Sequence, residues 1–516
     1  MTGHLATTEK SFYKSYASIG FMHNTDIKMA DLYCQYTDTA GSIDKAIKEV
    51  IANSDFIKGE AVGELESRLA GLLDTKHCIT CGNGTDALFI SMMATGIGQG
   101  DEVIVPAFSF GAVAEAVALL GGTPVFADVE ADTFNMSADS AERMITPRTK
   151  AIVPVHLFGQ PCDMAAINDM AARHGLTVIE DNAQSLGSEC FFPDGTRKYS
   201  GTAGHIGCTS FFPSKPLGCF GDGGAMFTDD DRLAERMRAL SNHGQIRKYN
   251  HLHVGVNSRL DTIQAAVLLA KLGHIGEWTA KRRKAAEYYT AGLAGLDGTI
   301  ITPATPPHGT HVYHQYTIRL TDGNSRDALK NKLAEAGIPS MIYYPMPLTE
   351  QPAYKNICLS DRGVTQAAKL SETVLSLPMH SGLKKEHQDT IIGVIRQFCR
   401  GGGKNKASRI NRRQGPRKHI RRPYIRTTRD TYIKLIIQTY YYNDRIFYPP
   451  DLNNRRRRHD RRRLQDMALL SYNGRHGARR IVQHRAKRDD CLRSTAWQQR
   501  ESTEQRIRIL GCDVRG

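Results

Sequence analysis

Between Asp31 and Leu272, short and almost wholly apolar runs take turns with amphipathic helical patterns. The runs are EVIVP (102–106), PVFADV (124–129), KAIVPVHLF (150–158) and LTVIED (176–181). A strand with one face in water alternates apolar and polar residues. A strand covered on both faces has no need to, and parallel sheets are covered on both faces by their crossover helices. Helical patterns at 111–120 and 164–174 lie between the runs. Repeated strand–helix alternation therefore predicts an α/β body with a mainly parallel sheet.

The remaining sequence divides around that body. Residues 1–28 read as a polar extension, 29–275 as the large domain, 276–400 as a smaller α+β domain and 401–516 as a basic tail. The smaller domain is drawn from a helical pattern at 278–296, the run YTIRL (316–320) and a helix at 326–336 closed by Gly337. The net charge of +15 invites a nucleic-acid reading until it is located. Residues 401–516 hold 31 Lys and Arg against 10 Asp and Glu, whereas residues 1–400 hold 37 against 43. The body is mildly acidic, so basic surface chemistry belongs to the tail alone. Clustered arginines such as 455–458 bind phosphates. The tail shows neither helical nor strand period and no nucleic-acid motif, and it is expected to be a disordered or non-native extension. Its removal is expected to leave activity intact. No apolar run approaches the ~18 residues of a bilayer span, and the N-terminus lacks a secretory apolar region. The 11 cysteines have no framework spacing, which fits reduced thiols in the cytoplasm.

Ligands of such sheets bind at the carboxyl ends of strands, so the residues after each run carry the chemistry. HCITC (77–81) is followed by Gly82-Asn83-Gly84-Thr85-Asp86 and a helix. The glycines permit the turn, and amides at a helix start with a threonine hydroxyl suit a phosphate. Taken alone, the turn is more often a plain strand–helix connection than a phosphate site. TVIE ends in Asp181. A carboxylate there needs a cationic partner, for which a protonated pyridine nitrogen would serve; a helix N-cap is the plainer role. Lys215 lies in TSFFPSKPLGCFGDGGA (209–225), without an acid beside it in sequence. An apolar setting depresses an amine's pKa and makes it a nucleophile. In combination, a phosphate turn, a strand-end acid and an apolar lysine suggest a pyridoxal 5'-phosphate (PLP) site.

With these motifs, 29–400 resembles the DegT/DnrJ/StrS family of sugar-nucleotide aminotransferases. The resemblance rests on FIKGEAVGELE (56–66), GNGTDAL, PAFSF (106–110), IEDNAQS, TSFFPSKPLG, GDGGA, NHGQ (242–245) and VGVNSRLDTIQAA (254–266). It is nearest the branch acting on UDP-2-acetamido-2-deoxy-3-oxo-glucuronate. The resemblance implies the PLP-dependent transferase fold type I, with Lys215 bearing the cofactor and Asp181 keeping its ring nitrogen protonated. Phe110 would stack on the ring, Gln184 would lie near its hydroxyl, and Gly84, Thr85 and Ser210 would hold its phosphate. Asn257 would reach that phosphate from the other subunit of a homodimer. Arg259 would grip a substrate carboxylate, with Tyr343 and Tyr344 along the sugar-nucleotide side. Relatives often carry histidine where this chain has tyrosine or Thr349. L-glutamate would donate the amine, a UDP-sugar would receive it, and bacterial surface polysaccharide would be the destination.

Other readings stay open at this point. They are an aminotransferase for a 4-keto nucleotide sugar, a sugar dehydratase, and a non-catalytic scaffold with a nucleic-acid-binding tail. A dehydratase of this fold would carry histidine where Lys215 stands. Cys78-x-x-Cys81 lacks a second pair at zinc spacing, and His251-x-His253 is short of ligands. No metal, membrane or nucleic-acid partner is expected.

Overall fold

The computed structural model describes residues 27–402 apart from 297 and 358–362. The expectations for the first 26 residues and for the tail beyond 402 lie outside the described residues. All the described residues fall in one compact unit.

The main sheet begins with β1 (His77–Cys81), β2 (Glu102–Pro106), β3 (Thr123–Ala127), β4 (Thr149–Ile152) and β5 (Thr177–Asp181). A hairpin of β6 (Glu189–Phe191) and β7 (Arg197–Tyr199) stands beside it, and β8 (Ile206–Ser210) and β9 (Gly224–Thr228) complete it. The spatial order is β1-β9-β8-β5-β4-β2-β3. Only β9 runs against its neighbours; β8, β5, β4, β2 and β3 pair in parallel. Strands β2 and β9 are buried at every position, as their unbroken apolar runs require.

One predicted strand is shorter than its apolar run. KAIVPVHLF gives a strand only to Ile152. Pro154 cannot donate to a ladder, although Val155 still bridges to Asp181. The chain then turns through Leu157–Gly159, and that turn brings His156 under the sheet's edge.

After the exposed hairpin β10 (Gln245–Arg247) and β11 (Asn250–His251) comes a second, antiparallel sheet of β12 (Ile300–Ile301), β13 (Tyr316–Leu320) and β14 (Val374–Leu377). Its core packs Tyr289, Tyr316, Leu329 and Ile391 with Ile27. Each fully buried side chain of this kind stabilises by roughly 1.5–3 kcal/mol. One carboxylate joins the two sheets. Asp128, just past β3, accepts the amides of Thr365, Gln366 and Ala367 at 2.8–2.9 Å. It thereby caps the helix Gln366–Thr373, where a negative charge meets the positive helix end.

Candidate active site

The carboxyl ends of β1, β2, β5 and β8 lie along one edge of the main sheet, because these strands share a direction. That edge gathers Gly84, Phe110, Asp181 and Ser210.

Asp181 ends β5 with one carboxylate oxygen taking the Ala183 amide at 3.0 Å. Burial pushes its carboxyl above the ordinary range, offset by the Ala183 amide and the positive charge of Lys215. The effect is mutual. Burial holds the Lys215 amine below its ordinary value, and Asp181 pulls it back up. A half-buried acid and a half-buried amine are thus each other's leading charge partner.

Lys215 sits on the loop between β8 and β9, which is folded tightly on itself. The Phe211 amide donates to the Gly223 carbonyl at 2.7 Å, and the Cys219 amide to the Phe211 carbonyl at 2.8 Å. A Cβ on Gly218 would lie 2.2 Å from the Pro213 carbonyl oxygen, so only glycine lets the loop close.

Beside it, the turn after β1 lies directly on Ser210. A Cβ on Gly84 would come 2.6 Å from the Ser210 Cβ, and one on Gly224 would come 2.5 Å from the Asn83 carbonyl. Asn83 caps the helix Gly84–Thr95 by accepting the Asp86 amide at 2.8 Å. The first turn of that helix and Ser210 are consequently neighbours. Phe110 is a large apolar ring left 60% exposed, next to Tyr344 with ring centroids 6.4 Å apart. The Gln184 amide oxygen accepts the Phe158 amide at 2.8 Å, and its nitrogen donates to the Tyr344 hydroxyl at 3.4 Å. Lysine, strand-end acid, aromatic ring and an anion cradle thus converge on one edge. Such a set fits a phosphorylated pyridine aldehyde.

Residues 38–396 match the DegT/DnrJ/EryC1/StrS aminotransferase family. The chain belongs to that family. It is 46% identical over 358 residues, 69% of this chain and 95% of the relative, to the UDP-2-acetamido-2-deoxy-3-oxo-D-glucuronate aminotransferase of Pseudomonas aeruginosa. It is 44% identical over 378 residues to the UDP-N-acetyl-3-dehydro-alpha-D-glucosamine 3-aminotransferase of Acidithiobacillus ferrooxidans, covering 73% of this chain and 99% of that one. Among solved structures, S. venezuelae DesV in complex with a ketimine intermediate superposes with a TM-score of 0.69 at 37% identity, over 72% of this chain and 98% of that one. The structure has the fold of these aminotransferases, as the motifs imply.

In this DegT/DnrJ/EryC1/StrS aminotransferase the other expected site residues are distributed unevenly. Tyr343 is half-buried, and burial raises the Tyr344 phenol above its ordinary range. Asn257 is exposed and bridges to Asn242. Arg259 lines a separate cleft of about 770 Å³ with Lys58, Glu66 and Arg238. Between these two, the Ser258 hydroxyl accepts the Gly82 amide at 2.9 Å and donates to Asp86 at 2.6 Å. The segment bearing Asn257 and Arg259 is thus pinned to the phosphate-type turn of its own chain, while Arg259 stays outside the Lys215 pocket.

Some side chains at the site have no motif to announce them. His156 and Glu180 are wholly buried and meet at 2.7 Å. The Cys162 amide donates to His156 Nδ1 at 3.0 Å, so Nε2 carries the proton and donates to Glu180. His314 lines a small cavity with Lys215, Arg282 and His380. Burial, with the charges of Lys215 and Arg282, holds it well below the usual histidine range. Only Pro154 inside the apolar run hints that His156 leaves the strand. Cys78 and Cys81 both lie in β1 as free thiols, and no cluster suited to a metal exists among the described residues.

Proposed function

We propose that the chain moves an amino group from L-glutamate to the keto carbon of a UDP-sugar, namely UDP-2-acetamido-2-deoxy-3-oxo-glucuronate. It does so in the cytoplasm, for bacterial surface polysaccharide. The carrying observation is that Asp181 at the end of β5, Lys215 on the loop after β8, and the Gly84 turn packed on Ser210 share one edge of the sheet. The 46% identity to the Pseudomonas aeruginosa relative supports the choice of sugar.

Pyridoxal 5'-phosphate is the cofactor, and when bound it supplies an electron-accepting ring that makes a carbon–hydrogen bond beside nitrogen acidic. The chain's residues do the rest. Asp181 would hold a proton on the ring nitrogen, its other contact being the Ala183 amide. Lys215, whose amine burial holds below its ordinary value, would bear the cofactor and move a proton as general base and then acid. Phe110 covers the ring face, Gln184 faces its hydroxyl, and Gly84, Thr85 and Ser210 hold the phosphate. Residues 29–275 form the cofactor-binding body and 276–400 the smaller part over it.

The active unit is a homodimer. Asn257 and Arg259, exposed or set in a separate cleft of their own chain, serve the site of a second copy. There Asn257 reaches the phosphate. The Arg259 guanidinium takes the uronate carboxylate in two parallel hydrogen bonds, beside Tyr343 and Tyr344.

The test offers L-glutamate with 3-oxo and 4-oxo UDP-sugars to the purified enzyme and weighs the products. Amination of the 3-oxo uronate is expected. Amination of a 4-oxo sugar alone would refute the sugar and leave the aminotransferase chemistry standing. Borohydride reduction followed by peptide mapping is expected to place a pyridoxyl group on Lys215.

A further inference from the structure

Lys271 is a buried cation without an acid. It lies in the last turn of the helix Thr262–Leu272 and is 3% exposed. Among the described residues no carboxylate comes within 4 Å of its ammonium. Its partners are instead the Gly218 carbonyl, to which it donates at 2.7 Å, and the Phe220 ring, whose centroid is 4.6 Å away. Both belong to the loop that carries Lys215. The same helix grips that loop a second time. The Phe220 amide donates to the Gln264 side-chain oxygen at 2.8 Å, and the Gln264 side-chain nitrogen donates to the Phe220 carbonyl at 3.1 Å.

Burying an ammonium is costly, and here it pulls the amine's pKa down to about 8. A neutral amide such as Gln264 could tie a backbone carbonyl without that cost. What the ammonium adds is a charge-assisted bond to a carbonyl and a desolvated contact with an aromatic face. Both act on residues three and five positions past Lys215. A lysine side chain has four rotatable bonds, so the placement of its amine depends on the fixity of its backbone. A displacement of about 1 Å can cost on the order of 100-fold in rate.

We propose that Lys271 is a positioning residue for Lys215: with Gln264 it clamps residues 216–221 to its helix and so keeps the Lys215 amine aimed at Asp181. The inference rests on the reading of Lys215 as the cofactor-bearing lysine.

The test uses the full-length holoenzyme and the variants Lys271→Met, Lys271→Gln and Lys271→Arg. In Lys271→Met, kcat is expected to fall about 10- to 100-fold, with KM for both substrates within about twofold. Backbone amides of 216–221 are expected to exchange with deuterium at least about 10-fold faster. Lys271→Arg restores charge and donors, and is expected to recover most of kcat and of the protection. Should Lys271→Met fail to fold, Lys271→Gln is measured in its place, with an intermediate loss in both readouts expected. Faster exchange with an unchanged kcat would make Lys271 a structural tie and overturn the proposal, as would a loss of kcat with no change in exchange. Borohydride labelling separates the two levels. A label on another lysine in the wild-type enzyme defeats the Lys215 reading itself. A label on Lys215 throughout, with equal kcat in all variants, defeats the clamp alone.

Discussion

Glu180 and Asp181 are consecutive on β5, yet their carboxylates have opposite surroundings. Successive side chains of a strand point to opposite faces. Glu180 is satisfied by His156 Nε2 and by the amides of Gly201, Ala203 and Gly204, at 2.6–2.8 Å. Asp181 has the Ala183 amide and the charge of Lys215. The first acid builds the wall, and the second is left for chemistry. The two are also joined through the backbone, since the His156 amide donates to the Asp181 carbonyl at 3.0 Å.

Replacing Glu180 by Gln tests the wall. One carboxylate oxygen becomes an NH2 group, which strands two buried donors. At 1–3 kcal/mol for each, the variant should lose roughly 3 kcal/mol, read from urea denaturation. Activity per folded molecule should fall as well, because the strand end that sets Asp181 is loosened.

Asp181→Asn tests the chemical acid. The fold should persist, while kcat drops by about 100-fold or more, as when a preorganised charge is removed from an active site. There is also a pH signature. Asp181 raises the Lys215 pKa against the downward push of burial. Without that charge the amine loses its proton at lower pH. Uptake of pyridoxal phosphate by the apoenzyme requires the neutral amine, so its acid limb should move to lower pH. A stopped-flow absorbance series against pH measures this, and a limb moving upward would contradict the pairing.

Gly84→Ala tests the cradle. Its Cβ would lie 2.6 Å from the Ser210 Cβ, so the turn or β8 must give way. Overpacking of this kind costs about 1–3 kcal/mol. The larger effect should be on cofactor affinity, with the dissociation constant for pyridoxal phosphate rising at least about 10-fold, measured by equilibrium dialysis. An unchanged affinity would place the phosphate elsewhere.

Sharing of sites between subunits can be tested by mixing two inactive variants, Lys215→Ala and Asn257→Ala. If each site combines Lys215 of one copy with Asn257 of the other, half of the dimers formed on exchange are mixed. Each mixed dimer holds one intact site, so about a quarter of wild-type activity should return. A mixture that stays inactive would place both residues in the same copy's site.

The order of apolar runs and helical patterns was enough to read a mainly parallel sheet, and the residues past the runs pointed to Gly84, Asp181 and Lys215, to which the family resemblance added Ser210. Both are local properties. Burial on two faces writes itself into a strand's composition, and a ligand edge falls where strands end. The rest depended on contacts between segments far apart in sequence. Nothing in VHLF shows that His156 meets Glu180 under the sheet, because that needs the turn forced after Pro154. Nothing in AKL shows that Lys271 holds the lysine loop, because the helix and the loop are about 50 residues apart and meet only once the sheet has closed. Tertiary structure likewise decided that Arg259 lies apart from Lys215 in one chain. A motif fixes which chemical groups are present, whereas distances between groups are set by how the whole core packs.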